Sequence, residues 1–210
     1  MSSALAERRL YLCTPDRRDL ADFVAACLAG GVDVVQLRDP QLEAKELVAR
    51  SRVIREVCAA AGVPFIVNDR PDVALEAGAD GVHVGQDDVA PATARQILGD
   101  GAIVGLSTHA PAELEAAVHA PVDYLSAGPV EPTPTKPGRP GTGLAYVTLA
   151  NRRADKPVFV TGGVTPERVP ELAAAGARHF VVVRYLTESD RPEAAARALR
   201  GAIEEALGSS

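Results

Sequence analysis

The sequence has no apolar run near the roughly 18 residues that crossing a bilayer requires, so no membrane partner is expected. It has no excess of positive charge. Lys and Arg number 22 against 28 Asp and Glu, a net charge of -6, which disfavours nucleic acid and anionic membrane surfaces as partners. A local basic pocket for phosphate is compatible with that balance. The 3 cysteines, Cys13, Cys27 and Cys58, show no metal-type spacing and read as reduced, packed thiols. Met1 to Arg9 contains no signal-type apolar segment, and a cytoplasmic protein is expected. No Gly-x-Gly-x-x-Gly follows the first strand, where Cys13 to Arg18 reads CTPDRR; that disfavours a doubly wound dinucleotide-binding sheet.

What is present is a repeated pattern. A helix ends at glycine, a short β-branched strand follows, its end is polar, and proline or an acid opens the next helix. Leu28–Val35 (LAGGVDVV), Leu75–Val84 (LEAGADGVHV) and Leu172–Val182 (LAAAGARHFVV) are near copies. Strands are expected at Arg9–Thr14, Val32–Arg38, Pro64–Asp69, Gly81–Gly85, Ala102–Ser107, Tyr124–Gly128, Pro157–Thr161 and Arg178–Arg184. The alternating helices are expected at Asp19–Ala29, Leu42–Ala61, Asp72–Ala77, Pro91–Leu98, Pro111–Val118, Leu144–Arg153, Pro166–Ala175 and Pro192–Leu207. Eight such units predict an α/β protein, a single (β/α)8 TIM barrel spanning residues 1–210 with its core at about 9–207. A homo-oligomer is compatible with this sequence.

In such a barrel the active site lies where the C-terminal ends of the strands meet. Those ends carry Gln36 and Arg38, Asn68 and Asp69, Gln86 to Asp88, Ser107 to His109, Gly162 and Gly163, and Arg184. After the sixth strand comes Gly128–Gly141 (GPVEPTPTKPGRPG), a loop stiffened by its prolines, with Thr133, Thr135, Lys136 and Arg139 between them. Hydroxyls and cations on a rigid loop suit an anionic, oxygen-rich ligand. Asp69 or Asp88 alone reads as a cap of the following helix; together, at neighbouring strand ends, they read as a magnesium pair. Gly162-Gly163 offers backbone N–H groups at a usual phosphate position of this fold. Lys136 reads as a charge-neutralising group rather than a Schiff-base lysine, because it lies in a loop. His83 is expected inside the barrel, and His109 at a helix start.

Six runs taken in order resemble the thiamine phosphate synthase family over about Leu10–Ala206. They are Val35–Arg38 (VQLR), Val67–Arg70 (VNDR), His83–Asp88 (HVGQDD), Gly105–His109 (GLSTH), Gly128-Pro129 with Pro132–Lys136 (PTPTK), and Gly162–Val164 (GGV). The resemblance implies a transferase that joins 4-amino-5-hydroxymethyl-2-methylpyrimidine diphosphate to hydroxyethylthiazole phosphate, releasing pyrophosphate. It implies Mg2+ held by Asp69 and Asp88. It implies diphosphate contacts from Arg38, Asn68, Ser107 and Lys136, with Arg38, Ser107 and Lys136 acting in catalysis, and places Gln36 near the pyrimidine. Thr133, Thr135, Gly163, Val183 and Arg184 would receive the thiazole phosphate. Two positions depart from the family pattern. Pro40 stands where a lysine is usual, with Lys45 the nearby substitute, and Arg184 stands where relatives often carry a small hydroxyl residue. The alternative functions are a thiazole tautomerase-like isomerase, a phosphosugar aldolase or epimerase using Lys136, and a catalytically weakened thiazole- or thiamine-phosphate binding protein.

Overall fold

The structure, a computed structural model, describes residues 3–132 and 140–208. Its strands are β1 (Leu10–Thr14), β2 (Val34–Leu37), β3 (Phe65–Asn68), β4 (Gly81–Val84), β5 (Ile103–Thr108), β6 (Tyr124–Ala127), β7 (Val158–Val160) and β8 (His179–Val182). Each pairs in parallel with the next, and β8 returns to β1 through Leu10 opposite Phe180, closing the barrel. The helices are α1 (Ser3–Ala6), α2 (Leu20–Ala29), α3 (Ala44–Ala61), α4 (Pro71–Ala77), α5 (Pro91–Leu98), α6 (Pro111–Val118), α7 (Gly143–Arg153), α8 (Val169–Ala174), α9 (Arg184–Thr187) and α10 (Pro192–Gly208). Proline opens α4, α5 and α6, where its missing N–H removes no helical bond.

Parallel strands bury both faces, and here the two faces build two cores. The outer one packs Leu12, Val35, Val67, Val82 and Val104 against helix residues such as Val24, Ile54, Leu114 and Leu199. The inner one fills the lower barrel with Tyr11, Val34, Ile66, Tyr124 and Phe159, joined by Leu5 of α1. Burying each such side chain contributes about 1.5–3 kcal/mol. Cys13, Cys27 and Cys58 are buried thiols that form no disulfide. Burial pushes the Cys27 and Cys58 thiols up to about 12, so both stay protonated.

Alternate strands are joined by a recurring aspartate. Asp33, Asp80 and Asp123 each immediately precede an even-numbered strand and accept a backbone N–H from the start of the strand before it. The donors are Leu10 at 2.9 Å, Phe65 at 2.8 Å and Val104 at 2.8 Å. Asp33 also takes Arg200 at 2.7 Å, and Asp123 takes Arg95 at 2.7 Å. At the fourth repeat Arg178 occupies the position and donates to the Ala173 and Ala177 carbonyls.

The helix α1 before the first strand was not expected from the sequence, and two further elements differ from the expectation. The helix after β7 begins at Val169 instead of Pro166, because Pro170 lacks the N–H and its ring opposes a carbonyl four residues earlier. The strand expected to run to Arg184 stops at Val182, and Arg184 is the first residue of α9.

Candidate active site

The upper barrel opens into a cavity of about 300 Å³. Gln36 of β2, Asn68 of β3 and Ser107 of β5 line it, as do Arg38, Gly163 and Val183 from the loops beyond the strands and Arg184 at the start of α9. The side-chain period of two explains this gathering. Tyr11 and Cys13, Gln36, Asn68, His83 and Ser107 alternate with the outward apolar residues of their own strands and so face inward. Arg38 is half-buried, and among the described residues its guanidinium has no carboxylate partner.

A chain of hydrogen bonds crosses the cavity floor. Cys13 Sγ lies 3.2 Å from Gln36 Oε1, and Gln36 Nε2 donates to Tyr11 Oη at 2.8 Å. Tyr11 and Tyr124 Oη are 3.0 Å apart; Tyr124 Oη is 3.0 Å from His83 Nδ1, and His83 Nε2 is 2.8 Å from Ser107 Oγ. Desolvation raises both phenols above their ordinary value, so Tyr11 and Tyr124 keep their protons at neutral pH. Tyr124 reaches His83 across Gly105, its in-register neighbour on β5, and the two rings stack with centroids 5.4 Å apart. A Cβ at position 105 would lie 2.1 Å from Tyr124 Cζ, so only glycine admits this ring.

The turn after β7 presents the second group of donors. Gly162 and Gly163 have φ of 94° and 78°, the left-handed region where side chains are strained. Arg168 braces the outside of this turn: it pairs with Glu131 at 2.8 Å and donates to the Gly163 carbonyl at 3.3 Å. A Cβ on Gly163 would meet Arg168 Nη1 at 2.6 Å, so the backbone is bare where it lines the cavity.

Asp69 and Asp88 lie at the ends of neighbouring strands but do not line this cavity. Asp69 takes a left-handed φ of 61°, and its N–H donates to the His83 carbonyl at 2.7 Å. Asp88 is exposed and accepts the Gly85 N–H at 2.7 Å. Among the described residues no group of three or more His, Cys, Asp or Glu could enclose a metal ion. Two hard carboxylates without a third fit an ion that keeps most of its ligands as water and substrate phosphate, which is the habit of magnesium and not of zinc. A Cβ at Gly85 would come 3.0 Å from Asp88 Oδ2, so this strand end is shaped around the carboxylate.

Thr133, Thr135 and Lys136, with Arg139, lie outside the described residues. Lys45, the substitute considered for the lysine missing at Pro40, is exposed near the start of α3 and does not line the cavity. His109 lies at the helix start expected of it, where Glu113 of α6 accepts its backbone N–H at 2.7 Å. The sequence reading missed Tyr11, Cys13, Tyr124, Ser126 and Thr161 as cavity-lining groups. Their signal is inward alternation on each strand, which the nearly unbroken burial of both faces conceals. No helix is long and apolar enough to cross a membrane among the described residues.

Residues 10–186 match the family described as thiamine monophosphate synthase. The chain is 48% identical over 216 residues to the thiamine-phosphate synthase of Mycobacterium sp. (strain KMS), covering 97% of this chain and 96% of that one. It is 46% identical over 215 residues to the thiamine-phosphate synthase of Mycobacterium bovis (strain BCG / Pasteur 1173P2), with 96% and 97% covered. Among solved structures, thiamine phosphate pyrophosphorylase from Pyrococcus furiosus superposes with a TM-score of 0.87 at 28% identity, covering 99% of both chains.

Proposed function

The chain belongs to the thiamine monophosphate synthase family, a family of transferases, and from that premise we propose its reaction and the residues that carry it. The substrates are 4-amino-5-hydroxymethyl-2-methylpyrimidine diphosphate and hydroxyethylthiazole phosphate; the products are thiamine phosphate and pyrophosphate. The carbon–oxygen bond to the diphosphate breaks first, its electron pair leaving with the diphosphate. The thiazole nitrogen then donates its lone pair to the pyrimidinylmethyl carbon. Such a dissociative step needs leaving-group stabilisation and positioning, and no protein nucleophile.

The observation that supports this reading best is the meeting of Gln36, Arg38, Asn68, Ser107 and Gly163 around one cavity. Arg38 is a cation suited to the departing diphosphate, and Asn68 and Ser107 are neutral donors to its oxygens. Gln36, buried at the floor, suits the pyrimidine ring nitrogens. Backbone N–H groups at Gly163 and Val183–Arg184 suit the thiazole phosphate, with Thr133 and Thr135 assigned to the same group. Lys136 adds a second cation for the diphosphate. Asp69 and Asp88 would hold Mg2+, which supplies charge neutralisation on the leaving diphosphate when bound. Pyrophosphate release measured with both precursors and Mg2+ tests the proposal. Release that requires both precursors is expected; no release, or isomerisation of the thiazole alone, overturns it.

A further inference from the structure

The chain of polar groups on the cavity floor has a direction, set by how many protons each member owns. An amide nitrogen can only donate, so Tyr11 Oη accepts from Gln36 Nε2 at 2.8 Å. Cys13 Sγ, a thiol donor 3.2 Å from Oε1, holds the amide in that sense. A phenol has a single proton; giving that of Tyr11 to Tyr124 Oη, 3.0 Å away, satisfies it, whereas the reverse sense leaves it buried without an acceptor among the described residues. Tyr124 has likewise one proton to give, and His83 Nδ1 lies 3.0 Å away. An imidazole that accepts at Nδ1 carries its proton on Nε2, which faces Ser107 Oγ at 2.8 Å. The Ser107 oxygen is thereby an acceptor from His83, and its own proton is left for the cavity.

We propose that Gln36, Tyr11, Tyr124 and His83 form a one-way hydrogen-bond relay that presents the Ser107 hydroxyl as a fixed donor to an anionic oxygen of the ligand. Tyr11, Tyr124 and His83 are positioning residues in this scheme. The relay rests on the proposed reaction only for the identity of that oxygen, a diphosphate oxygen. Its consequence for specificity is that the Ser107 proton is aimed at the cavity, so the site favours a ligand atom that accepts there, an anionic oxygen above all. Gly105 belongs to the device, since Tyr124 reaches His83 only over a residue without a side chain.

The test is the tautomer of His83 in 15N-histidine-labelled protein, its signals identified by their loss in His83→Gln. The expected result is a proton on Nε2 and none on Nδ1. Tyr124→Phe removes the donor to Nδ1 and should bring the other tautomer into exchange, with kcat/KM for pyrophosphate release falling about tenfold or more. Tyr11→Phe interrupts the relay one step earlier and should act in the same direction with smaller size. A wild-type His83 protonated on Nδ1 overturns the relay, because the chain would then run outward from Ser107. So does a Tyr124→Phe protein whose His83 keeps its tautomer. Should Tyr124→Phe fail to fold, the wild-type tautomer and Tyr11→Phe decide. Wild-type protein with the proton on Nε2 but no pyrophosphate release supports the relay and overturns the reaction, which keeps the two distinct.

Discussion

The Asp88 carboxylate accepts the backbone N–H of Gly85 at 2.7 Å, tying the loop beyond β4 back to the strand end. Asp88 is otherwise exposed, so this bond is its described contribution to folding, about 1 kcal/mol. Asp88→Ala is expected to fold with a Tm only a few degrees lower. Pyrophosphate release, by contrast, should fall about 100-fold or more, the order lost when one group stabilising a transition-state charge is removed. Kinetics over a Mg2+ titration check this. An Asp88→Ala protein with ordinary activity at ordinary Mg2+ would remove Asp88 from the metal role.

Gly105 and Tyr124 test the inner core. Alanine at 105 would bring Cβ to 2.1 Å from Tyr124 Cζ and 2.4 Å from Cε1, and both strands are fixed by their ladders. Overpacking of this kind costs about 1–3 kcal/mol. Gly105→Ala should lower the urea midpoint accordingly, and the loss should be less than additive when combined with Tyr124→Leu, which vacates the contested space. Additive losses would mean that the clash relaxes elsewhere.

Asp33 gathers three donors, the backbone N–H groups of Arg9 and Leu10 and the Arg200 guanidinium, joining β1, β2 and α10. Asp33→Ala leaves strand-start N–H groups without an acceptor, and each such group costs about 1–3 kcal/mol. Loss of about 3 kcal/mol is expected in chemical denaturation, with Arg200→Ala losing less because the two N–H bonds survive.

The barrel was legible because its punctuation is local. Gly62 and Gly78 end α3 and α4 in left-handed geometry, and proline opens α4, α5 and α6. Gln36, Asn68 and Ser107 were legible as cavity residues because a polar group ending an apolar run is an exception that invites a reason. Tyr11 and Tyr124 were not, because a strand buried on both faces shows no alternation to say which residue points inward. The Tyr124–Gly105–His83 arrangement depends on register across three strands, which no single stretch of sequence contains. The short helix α9 was hidden by the β-branched run Val181–Val183, whose pattern continues as strand until Arg184.

His179 at the start of β8 gives a pH signature. Burial lowers its pKa from the ordinary 6.5, opposed in part by a hydrogen bond with the Arg8 carbonyl at 2.5 Å. The unfolded chain therefore binds this proton more readily than the folded one. The stabilising contribution is complete above about pH 6.5 and is lost as pH falls through that value toward the lower folded one. Urea midpoints measured from pH 7.5 to 5 should fall on acidification, and His179→Gln should flatten the slope. An unchanged slope would assign the acid sensitivity to other groups.

Arg38 is the cation on which the leaving-group argument leans hardest among the described residues. Three arginines near the barrel ends are paired with carboxylates: Arg168 with Glu131, Arg95 with Asp123, Arg200 with Asp33. Arg38 lines the cavity without such a partner among the described residues. An unpaired guanidinium stabilises the fold little, so Arg38→Ala should leave Tm unchanged or slightly higher. A charge-assisted hydrogen bond is worth about 1.5–3 kcal/mol, which predicts a loss in kcat/KM of about 10- to 100-fold. Arg38→Lys keeps the charge but not the planar fork, and should recover only part of the rate. If the ligand at this position were neutral, both variants would react like wild type at low and high salt alike. A rate loss that shrinks with added salt is the behaviour expected of a cation facing diphosphate.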